Sequence, residues 1–458
     1  MNKKRKVFFV GLVTSFTCLS GFATSCNSRN EITTTIKDHY VYSAFRDVGP
    51  NISVDEFNKV FSVGDIIDVK IDANNGKTYS LILPYVNNYS EAGDYAPCLC
   101  ADTDQITSEP AIDLSLNMWP YGHDVRTRDF FNCPVKFTMN KKGGYNKILN
   151  FVKCSEKLTI DQLSGDDKAY ANFRGIIETG DISKFIKTSH VYRSSTPLIS
   201  GYDLGNRYNY VDALMENNNI EEVLCLSHDK AGYKRRIDEL KSREENYYIR
   251  SLFGDGETNC HCHCIDLGND YFSLDVVDEK GRVIEQGGAS KVREVLKIIG
   301  ECCKDNKRLL IHCDEGKDRT GFICMLLEAF ATPIAEVGGL VYISTQDIVS
   351  DFMTSYRNYY NITSADNVER YQTFLDMTIY RHLYAICCDN PAKELGQANW
   401  YDTSFDVRDA FKKKIQRKNL WYFAKKYIKD VVALNDTDIL NLSRLYTNEI
   451  PEFFVGEQ

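Results

Sequence analysis

Cys313 and Arg319 are separated by five residues and lie between an apolar run and a segment of helical composition. The run at 308–312 predicts a buried strand, and residues 322–330 predict a helix. A loop that closes onto a helix N-terminus points backbone N–H groups inward and forms an anion site. This field favours the nucleophilic thiolate of Cys313, and Arg319 offers a planar fork to two phosphoryl oxygens. The stretch therefore predicts phosphate chemistry at a cysteine.

The spacing alone is weak evidence, because Cys302 and Arg308 repeat it. That first copy lies at the end of a predicted helix, and it has no glycine and no following helix to receive a phosphate. We interpret it as chance. In the second copy Gly316 allows a tight loop, and a strand and a helix lie on either side.

The sequence His-Cys-Asp-Glu-Gly-Lys-Asp-Arg-Thr-Gly at 312–321 resembles the signature loop of the protein-tyrosine-phosphatase superfamily. Its Gly-Lys-Asp-Arg-Thr-Gly part is similar to the bacterial tyrosine and dual-specificity branch, some of whose members also act on phosphoinositides. The similarity extends through residues 170–174, 192–195, 348–353 and 358–362 and covers about the second half of the chain.

This resemblance implies that Cys313 attacks phosphorus and forms a phosphocysteine, which water then hydrolyses, with no metal or cofactor. His312 would orient the loop, and Thr320 would hydrogen-bond the cysteine sulfur. Arg319 and the loop amides would hold the phosphoryl oxygens. The implied phosphate-binding positions are Asp314, Glu315, Gly316, Lys317, Asp318 and Arg319.

The leaving oxygen needs a proton, so an acid must lie within hydrogen-bonding reach of it. The resemblance implies Asp318 as this acid. Other superfamily members use an aspartate on a separate loop, and Asp270 or Asp275 has a suitable position for that role, although both also fit solvated turn residues. Lys317 would add charge for a multiply phosphorylated ligand, or would simply be a solvated loop lysine.

The resemblance implies a phosphomonoester hydrolase with a phosphorylated protein as its partner, and phosphotyrosine is the leading substrate class. Two alternatives stay open. One is a phosphoinositide or inositol-phosphate phosphatase. The other is a non-catalytic surface protein that binds phosphate. Nothing in the composition indicates a nucleic-acid partner.

The chain divides into a β-rich segment, residues 27–160, and an α/β segment, residues 161–458. A hairpin is predicted at 63–85, with its turn at Asn75-Gly76, and another strand at 135–139. We expect the second segment to be a cysteine-based phosphatase domain, with a central sheet flanked by helices and a helical C-terminal part.

Within the α/β segment, residues 222–226 read as a buried strand. Apolar residues at helical spacing follow Ser290, which we place as an N-cap. Arg193 fits either a structural ion pair, which we favour, or the phosphate site. His228 and Asp229 follow a strand, where α/β ligand sites often form, but an ordinary loop explains them equally well.

The first 26 residues have the layout of a secretory signal. Basic residues at 3–6 precede a mostly apolar run, and residues 23–26 resemble the lipobox of bacterial lipoproteins without its usual leucine. We expect an exported, bacterial-type protein at the cell surface or in the periplasm, with Cys26 as the candidate site of a lipid tether to the membrane. A retained anchor, or cleavage without lipid, is the alternative.

Sixteen cysteines in an exported chain would normally indicate disulfides, but the proposed nucleophile needs a free thiolate, so we predict no particular disulfide. The cysteines and histidines at 260–264 could ligate a metal, but their spacing on a strand favours buried cysteines. The net charge of −9 argues against a general binder of nucleic acid or acidic membranes. Any phosphate specificity must therefore be local.

Overall fold

The structure is a computed structural model that describes residues 30–42, 47–87, 91, 98–115, 127–145, 157–176, 190–199, 205–257, 259–268, 272, 276–277, 280, 282–331, 334–336, 339–341, 343–366, 368–391, 394 and 406–445. The predicted leader with Cys26 lies outside these residues, and so do Asp270 and Asp275.

The first seven strands form a closed barrel: β1 (Glu31–Tyr42), β2 (Asp47–Pro50), β3 (Ile66–Asp72), β4 (Thr78–Val86), β5 (Cys98–Thr103), β6 (Pro110–Ser115) and β7 (Pro134–Lys141). Their order around the barrel is β1-β2-β6-β5-β4-β3-β7. A short helix, α1 (Val54–Asn58), lies between β2 and β3. Closure leaves no exposed edge along which another chain could pair.

The hairpin predicted at 63–85 is confirmed. β3 pairs antiparallel with β4, and Ile71 lies opposite Tyr79. Gly76 closes the turn with a φ of 76°, a conformation that glycine adopts without strain. Apolar residues at every second position of both strands are buried in the barrel core, as strand alternation requires. The strand predicted at 135–139 lies in β7.

The second sheet has five strands in the order β11-β10-β14-β9-β8: β8 (Arg174–Gly175), β9 (Val191–Ser194), β10 (Glu222–Cys225), β11 (Cys262–Cys264) and β14 (Leu309–His312). β9, β14, β10 and β11 are parallel, so their carboxyl ends meet at one edge. Both strands predicted here, β10 and β14, are confirmed.

Two further sheets have two antiparallel strands each. β12 (Val276–Val277) pairs with β13 (Val283–Glu285), and β15 (Ile334–Glu336) pairs with β16 (Gly339–Val341).

Helices lie on both faces of this sheet, which is why β14 is buried along its whole length. Leu309 and Ile311 belong to one buried cluster and Leu310 to another, so the strand faces two hydrophobic cores. The described helices are α2 (Asp167–Tyr170), α3 (Arg207–Asn217), α4 (Lys230–Arg243), α5 (Tyr247–Phe253), α6 (Gly288–Lys304), α7 (Arg319–Phe330), α8 (Thr345–Tyr360), α9 (Val368–Phe374), α10 (Tyr380–Ile386), α11 (Val407–Ile415), α12 (Leu420–Lys426) and α13 (Asp436–Ser443).

The N-cap prediction for Ser290 is wrong. α6 begins at Gly288, with Gly287 in extended backbone as its cap, and Ser290 is a buried residue of the first turn. The small residues at 287–289 let the helix start earlier than the apolar pattern suggests. The C-terminal part is helical within the described residues 406–445, as predicted. No described helix has the length and apolar character needed to cross a bilayer.

Candidate active site

The Cys313 loop, residues 313–318, connects the carboxyl end of β14 to the first turn of α7. Cys313 is 4% exposed. Gly316 has a φ of 64°, and a β-carbon there would lie 2.0 Å from the carbonyl oxygen of Ser194. Only glycine satisfies both conditions, so the loop presses its backbone directly against the end of β9.

Donors from the scaffold hold the outer carbonyls of the loop. The pairs are Asn172 Nδ2 to Glu315 O at 3.0 Å, Arg193 Nη2 to Gly316 O at 2.8 Å, and Thr196 N to Asp314 O at 3.0 Å. In a trans peptide the C=O and the following N–H point in opposite directions. The N–H groups of residues 315–317 therefore point away from the scaffold, towards the cleft side of the loop.

A buried ion-pair network fixes these donors. Arg174 Nε donates to Asp351 at 2.6 Å, and Arg193 Nη1 donates to the other oxygen of the same carboxylate at 2.5 Å. Ser355 Oγ accepts a hydrogen bond from Asn172 at 3.0 Å. Burial alone would raise the pKa of Asp351, but the two guanidinium groups lower it to about 2. The structural ion pair predicted for Arg193 is confirmed, and the same side chain also supports the loop.

Glu328, on α7, is buried near this network. Burial and the negative charge of Asp351 raise the pKa of Glu328 well above its ordinary value. Burial thus favours the neutral form of Glu328, whereas the two guanidinium groups favour the charged form of Asp351.

Arg319 lies at the mouth of the loop and is 20% exposed. Its Nη2 donates to Asp314 Oδ2 at 3.2 Å, and its Nη1 donates to the Leu226 carbonyl at 3.4 Å. Asp266 Oδ1 lies 4.0 Å from Nη1. The guanidinium is thus held by a carboxylate whose place a phosphate could take.

His312 is fully buried, and its Nδ1 lies 3.1 Å from the Cys313 carbonyl. Burial, the main cause, lowers the pKa of His312 to about 3. The imidazole is therefore neutral, and its Nδ1 carries the proton because a carbonyl only accepts. This contact agrees with a role in orienting the loop.

The structure does not contain the hydrogen bond expected from Thr320 to the cysteine sulfur. Thr320 is fully buried as the second residue of α7, and its hydroxyl has no hydrogen-bond partner in the described part of the chain. Its side chain is enclosed with the buried residues of that helix, so the expectation is not met in this conformation.

Lys317 is not a solvated loop residue. Its side chain is 12% exposed and lies 3.5 Å from Glu315 and 3.3 Å from Asp318. The ammonium also lies 5.0 Å from the ring centroid of Tyr356. Burial alone would lower the pKa of Lys317, but the two carboxylates raise it well above its ordinary value. The solvated-lysine alternative is therefore wrong, and the role in binding a multiply phosphorylated ligand stays a prediction.

Glu315 also faces the scaffold rather than the cleft. Lys157 Nζ lies 2.7 Å from its carboxylate, and the Tyr360 hydroxyl donates to it at 3.0 Å. Burial alone would raise the pKa of Glu315, but Lys317 and Lys157 hold it below its ordinary value. Of the predicted phosphate-binding positions, Glu315, Gly316 and Lys317 therefore offer their backbone rather than their side chains.

Three polar side chains lie near the mouth besides Arg319 and Asp314. Asp318 is 28% exposed and lies beside Lys317, as described above. Asp266, which the sequence reading missed, is 53% exposed and follows β11 at the same sheet edge. Its position after a buried strand was the available signal.

His228 is the third of these side chains. Its Nε2 lies 4.0 Å from Asp314 Oδ1, and burial lowers the pKa of His228 below its ordinary value. Its neighbour Asp229 caps α4 by accepting from Gly232 N at 2.7 Å. The ordinary-loop explanation therefore holds for Asp229, whereas His228 belongs to the rim of the site.

The cysteines at 260–264 lie at or next to β11. Their neighbours His261 and His263 contact the carboxylate of Glu222 at 3.1 and 3.2 Å, at the opposite end of β10 from the Cys313 loop. Across the described ranges, no three His, Cys, Asp or Glu side chains form a group suited to a metal ion. All thirteen cysteines that the structure describes are free thiols.

The family model described as "Tyrosine phosphatase family" matches residues 275–448, which is less than half of the chain. The matched part contains Cys313, Gly316 and Arg319, and the match supports a cysteine-based phosphatase. No curated protein matches the chain.

Among solved structures, the chain is similar to the core catalytic domain of the PP-IP phosphatase SIW14 from S. cerevisiae, determined in complex with citrate. The identity is 15% over 46% of this chain and 90% of that chain, with a TM-score of 0.21. That TM-score is too low to establish a shared fold.

Proposed function

We propose that the protein is a protein-tyrosine phosphatase that works through a phosphocysteine at Cys313. The observation that carries this proposal is the backbone of the Cys313 loop. Its outer carbonyls are tied to buried donors, and its N–H groups are directed to the side where Arg319 and the buried thiol lie. Preorganised donors of this kind stabilise the charge that develops on phosphoryl oxygens during transfer.

In the first step the Cys313 sulfur attacks phosphorus, an S–P bond forms, and the P–O bond to the leaving group breaks. Asp318 gives its proton to the departing oxygen. In the second step water attacks the phosphocysteine, its proton returns to Asp318, and the S–P bond breaks to release phosphate. When substrate binds, the Arg319 guanidinium releases the Asp314 carboxylate and donates to two phosphoryl oxygens during both steps. His312 positions the loop through the Cys313 carbonyl.

The charged side chains around Arg319 favour a substrate with a single phosphate, such as phosphotyrosine. Lys317 would be the obvious partner for a second phosphate, but Glu315 and Asp318 already hold it. The carboxylates of Asp314 and Asp266 beside Arg319 would repel further negative charge. Inositol phosphates are therefore the less favoured substrates.

We further propose that residues 1–26 form an export signal, with Cys26 as a candidate lipid attachment site, and that the protein is located at the cell surface or in the periplasm. Residues 27–160 form a barrel-containing domain that flanks the catalytic domain, residues 161–458. The barrel strands end at Lys141 and the second sheet begins at Arg174, which agrees with this division.

The experiment is phosphate release by the full chain, under reducing conditions, from a phosphotyrosine peptide, a phosphoserine peptide and phosphoinositides, beside Cys313→Ser. We expect turnover of the phosphotyrosine peptide by the wild type alone. Preference for a phosphoinositide would overturn the substrate class but keep the mechanism. Binding of the peptides without turnover would favour the non-catalytic phosphate-binding alternative.

A further inference from the structure

The segment from Val407 to Lys429, which contains α11 and α12, is strongly basic. It holds nine Lys or Arg residues and one acidic residue, Asp409. The segment has a net charge of +8 in a chain whose total is −9, so the remaining residues carry −17. Such an asymmetry gives the molecule one face that an anionic surface attracts and a remainder that it repels.

Packing fixes which side of these helices faces outward. Phe411, Leu420 and Ala424 are buried against the core. On α12 the opposite side carries Tyr422, which is 40% exposed, whereas the neighbouring Trp421 is half-buried and its indole Nε1 is enclosed. Of the cations near these rings, Lys418 is exposed and Lys425 is half-buried.

Two lysines stack on the aromatic rings. Lys418 Nζ lies 5.1 Å from the ring centroid of Tyr422, and Lys425 Nζ lies 5.2 Å from that of Trp421. Cation–π contacts hold the ammonium groups beside the rings without neutralising them. The result is a compact set of positive charges interleaved with amphipathic rings.

The nine cations fall into two groups. Five pair with carboxylates, namely Arg408, Lys413, Lys414, Lys426 and Lys429. The other four form no ion pair with the part of the chain that the structure describes, namely Lys412, Arg417, Lys418 and Lys425. We call these four, together with Trp421 and Tyr422, the basic surface.

We propose that the basic surface binds the headgroups of an anionic phospholipid membrane. Lysine and arginine next to Trp and Tyr on a partly buried helix are the composition of an interfacial segment, in which the rings lie at headgroup level. Nucleic acid would use the cations but has less use for the exposed Tyr422 ring, which already stacks on Lys418.

A cavity of about 210 Å³ lies beside α12, but its lining includes the carboxylates of Asp389 and Asp430, and its cation, Lys426, pairs with Asp389. These carboxylates disfavour an anionic headgroup in the cavity. The four cations of the basic surface and the exposed Tyr422 ring therefore carry the interaction with lipid. The net charge of −9 for the whole chain conceals this surface, because the charge of −17 on the other residues outweighs the local +8.

The test is sedimentation of the full chain with vesicles of phosphatidylcholine alone, or of phosphatidylcholine with phosphatidylglycerol. We expect binding to the anionic vesicles, weakened by salt. The variant Lys412→Gln/Arg417→Gln/Lys418→Gln/Lys425→Gln should lose about fivefold in partition for each cation removed, and thus more than about a hundredfold in total. Tyr422→Ala should weaken binding severalfold.

The matched control is Lys59→Gln/Lys70→Gln/Lys77→Gln/Lys142→Gln, which removes four exposed cations elsewhere that likewise form no ion pair with the described residues, and it should stay within twofold of the wild type. All variants keep the same leader, so their differences report the basic surface. Circular dichroism and melting temperature check folding, and if the quadruple variant unfolds, the four single variants replace it. Wild-type partition in the quadruple variant would overturn the proposal. Equal binding to a DNA duplex, with no effect of Tyr422→Ala, would overturn lipid as the partner.

Discussion

On its scaffold side the Cys313 loop accepts hydrogen bonds of 2.8–3.0 Å from buried donors, whereas on its cleft side the contacts run from 3.2 to 4.0 Å between partly exposed side chains. Asp351, Arg174 and Arg193 form the scaffold side, and Arg319 with Asp314 forms the cleft side. The fold therefore fixes the backbone donors of the loop, whereas the side chains of Arg319 and Asp314 are free to rearrange around a phosphate. Changes on the scaffold side should therefore affect the whole site, and changes at the mouth should affect single steps.

The largest expected effect is that of Gly316→Ala. A β-carbon at this position meets the Ser194 carbonyl at 2.0 Å and the backbone has a φ of 64°, so the loop must move and lose its donor geometry. We expect phosphatase activity to fall by more than about a thousandfold. Gly165→Ala is the matched control, because its φ is 75° but no atom lies within 4 Å. It should cost about 1–2 kcal/mol of stability and no activity. More than a tenth of wild-type activity in Gly316→Ala would contradict this account.

The second prediction concerns Asp351→Asn. Removing the charge leaves two buried guanidinium groups without their carboxylate, which should cost about 3–5 kcal/mol in the free energy of unfolding. Chemical denaturation measures this. Because the folded-state pKa of Asp351 is about 2, below its ordinary 3.8, its contribution is present above pH 4 and is lost as the pH falls towards 2. The wild type and the variant should therefore converge on acidification.

Glu328→Gln is the matched control for Asp351, and its pH dependence should have the opposite sign. The folded-state pKa of Glu328 is raised, so the folded wild type loses stability relative to its unfolded state as the pH rises above the ordinary value of 4.5. The glutamine variant should therefore gain stability relative to the wild type as the pH rises above 4.5. Equal losses for Asp351→Asn and Glu328→Gln would show that both groups are charged.

The third prediction separates two candidate acids at the mouth. Asp318→Asn should lower kcat for phosphotyrosine by about a hundredfold, and should have much less effect on p-nitrophenyl phosphate, whose leaving group needs no proton. Asp266→Asn should change kcat less than threefold for both substrates. Steady-state kinetics over a pH range measures this, and the reverse pattern would transfer the acid role to Asp266.

The smallest expected effect is that of Asp314→Asn. This change removes the carboxylate that holds Arg319 at 3.2 Å and would otherwise compete with a bound phosphate. Inorganic phosphate should inhibit the variant severalfold more strongly than the wild type, with little change in melting temperature. Unchanged or weaker inhibition would mean that Asp314 positions Arg319 for the phosphate rather than competing with it.

The strand, loop and helix that contain Cys313, Gly316 and Arg319 were predictable because their signals lie in one short stretch. The network behind the loop was not, because Asn172 and Ser355 are far apart in the chain and only the folded sheet and α8 bring them together. Asn172 lies in a segment with family similarity, but the local sequence does not show its contact with Ser355.

Two expectations, a solvated Lys317 and a hydrogen bond from Thr320 to the cysteine sulfur, are not met for the same physical reason. Both were drawn from residue type and position in the chain. In the fold both side chains turn into buried surroundings that the local sequence does not reveal. Side-chain direction in a tight loop depends on what packs behind it.

The central claim is that Cys313 forms a covalent phosphoryl intermediate. The most direct measurement is rapid acid quenching of the enzyme during turnover of a phosphotyrosine peptide, followed by mass spectrometry of the digested chain. We predict a phosphoryl adduct on the peptide that contains Cys313, and no adduct in Cys313→Ser. An adduct on a different residue, or turnover that persists in Cys313→Ser, would contradict the account.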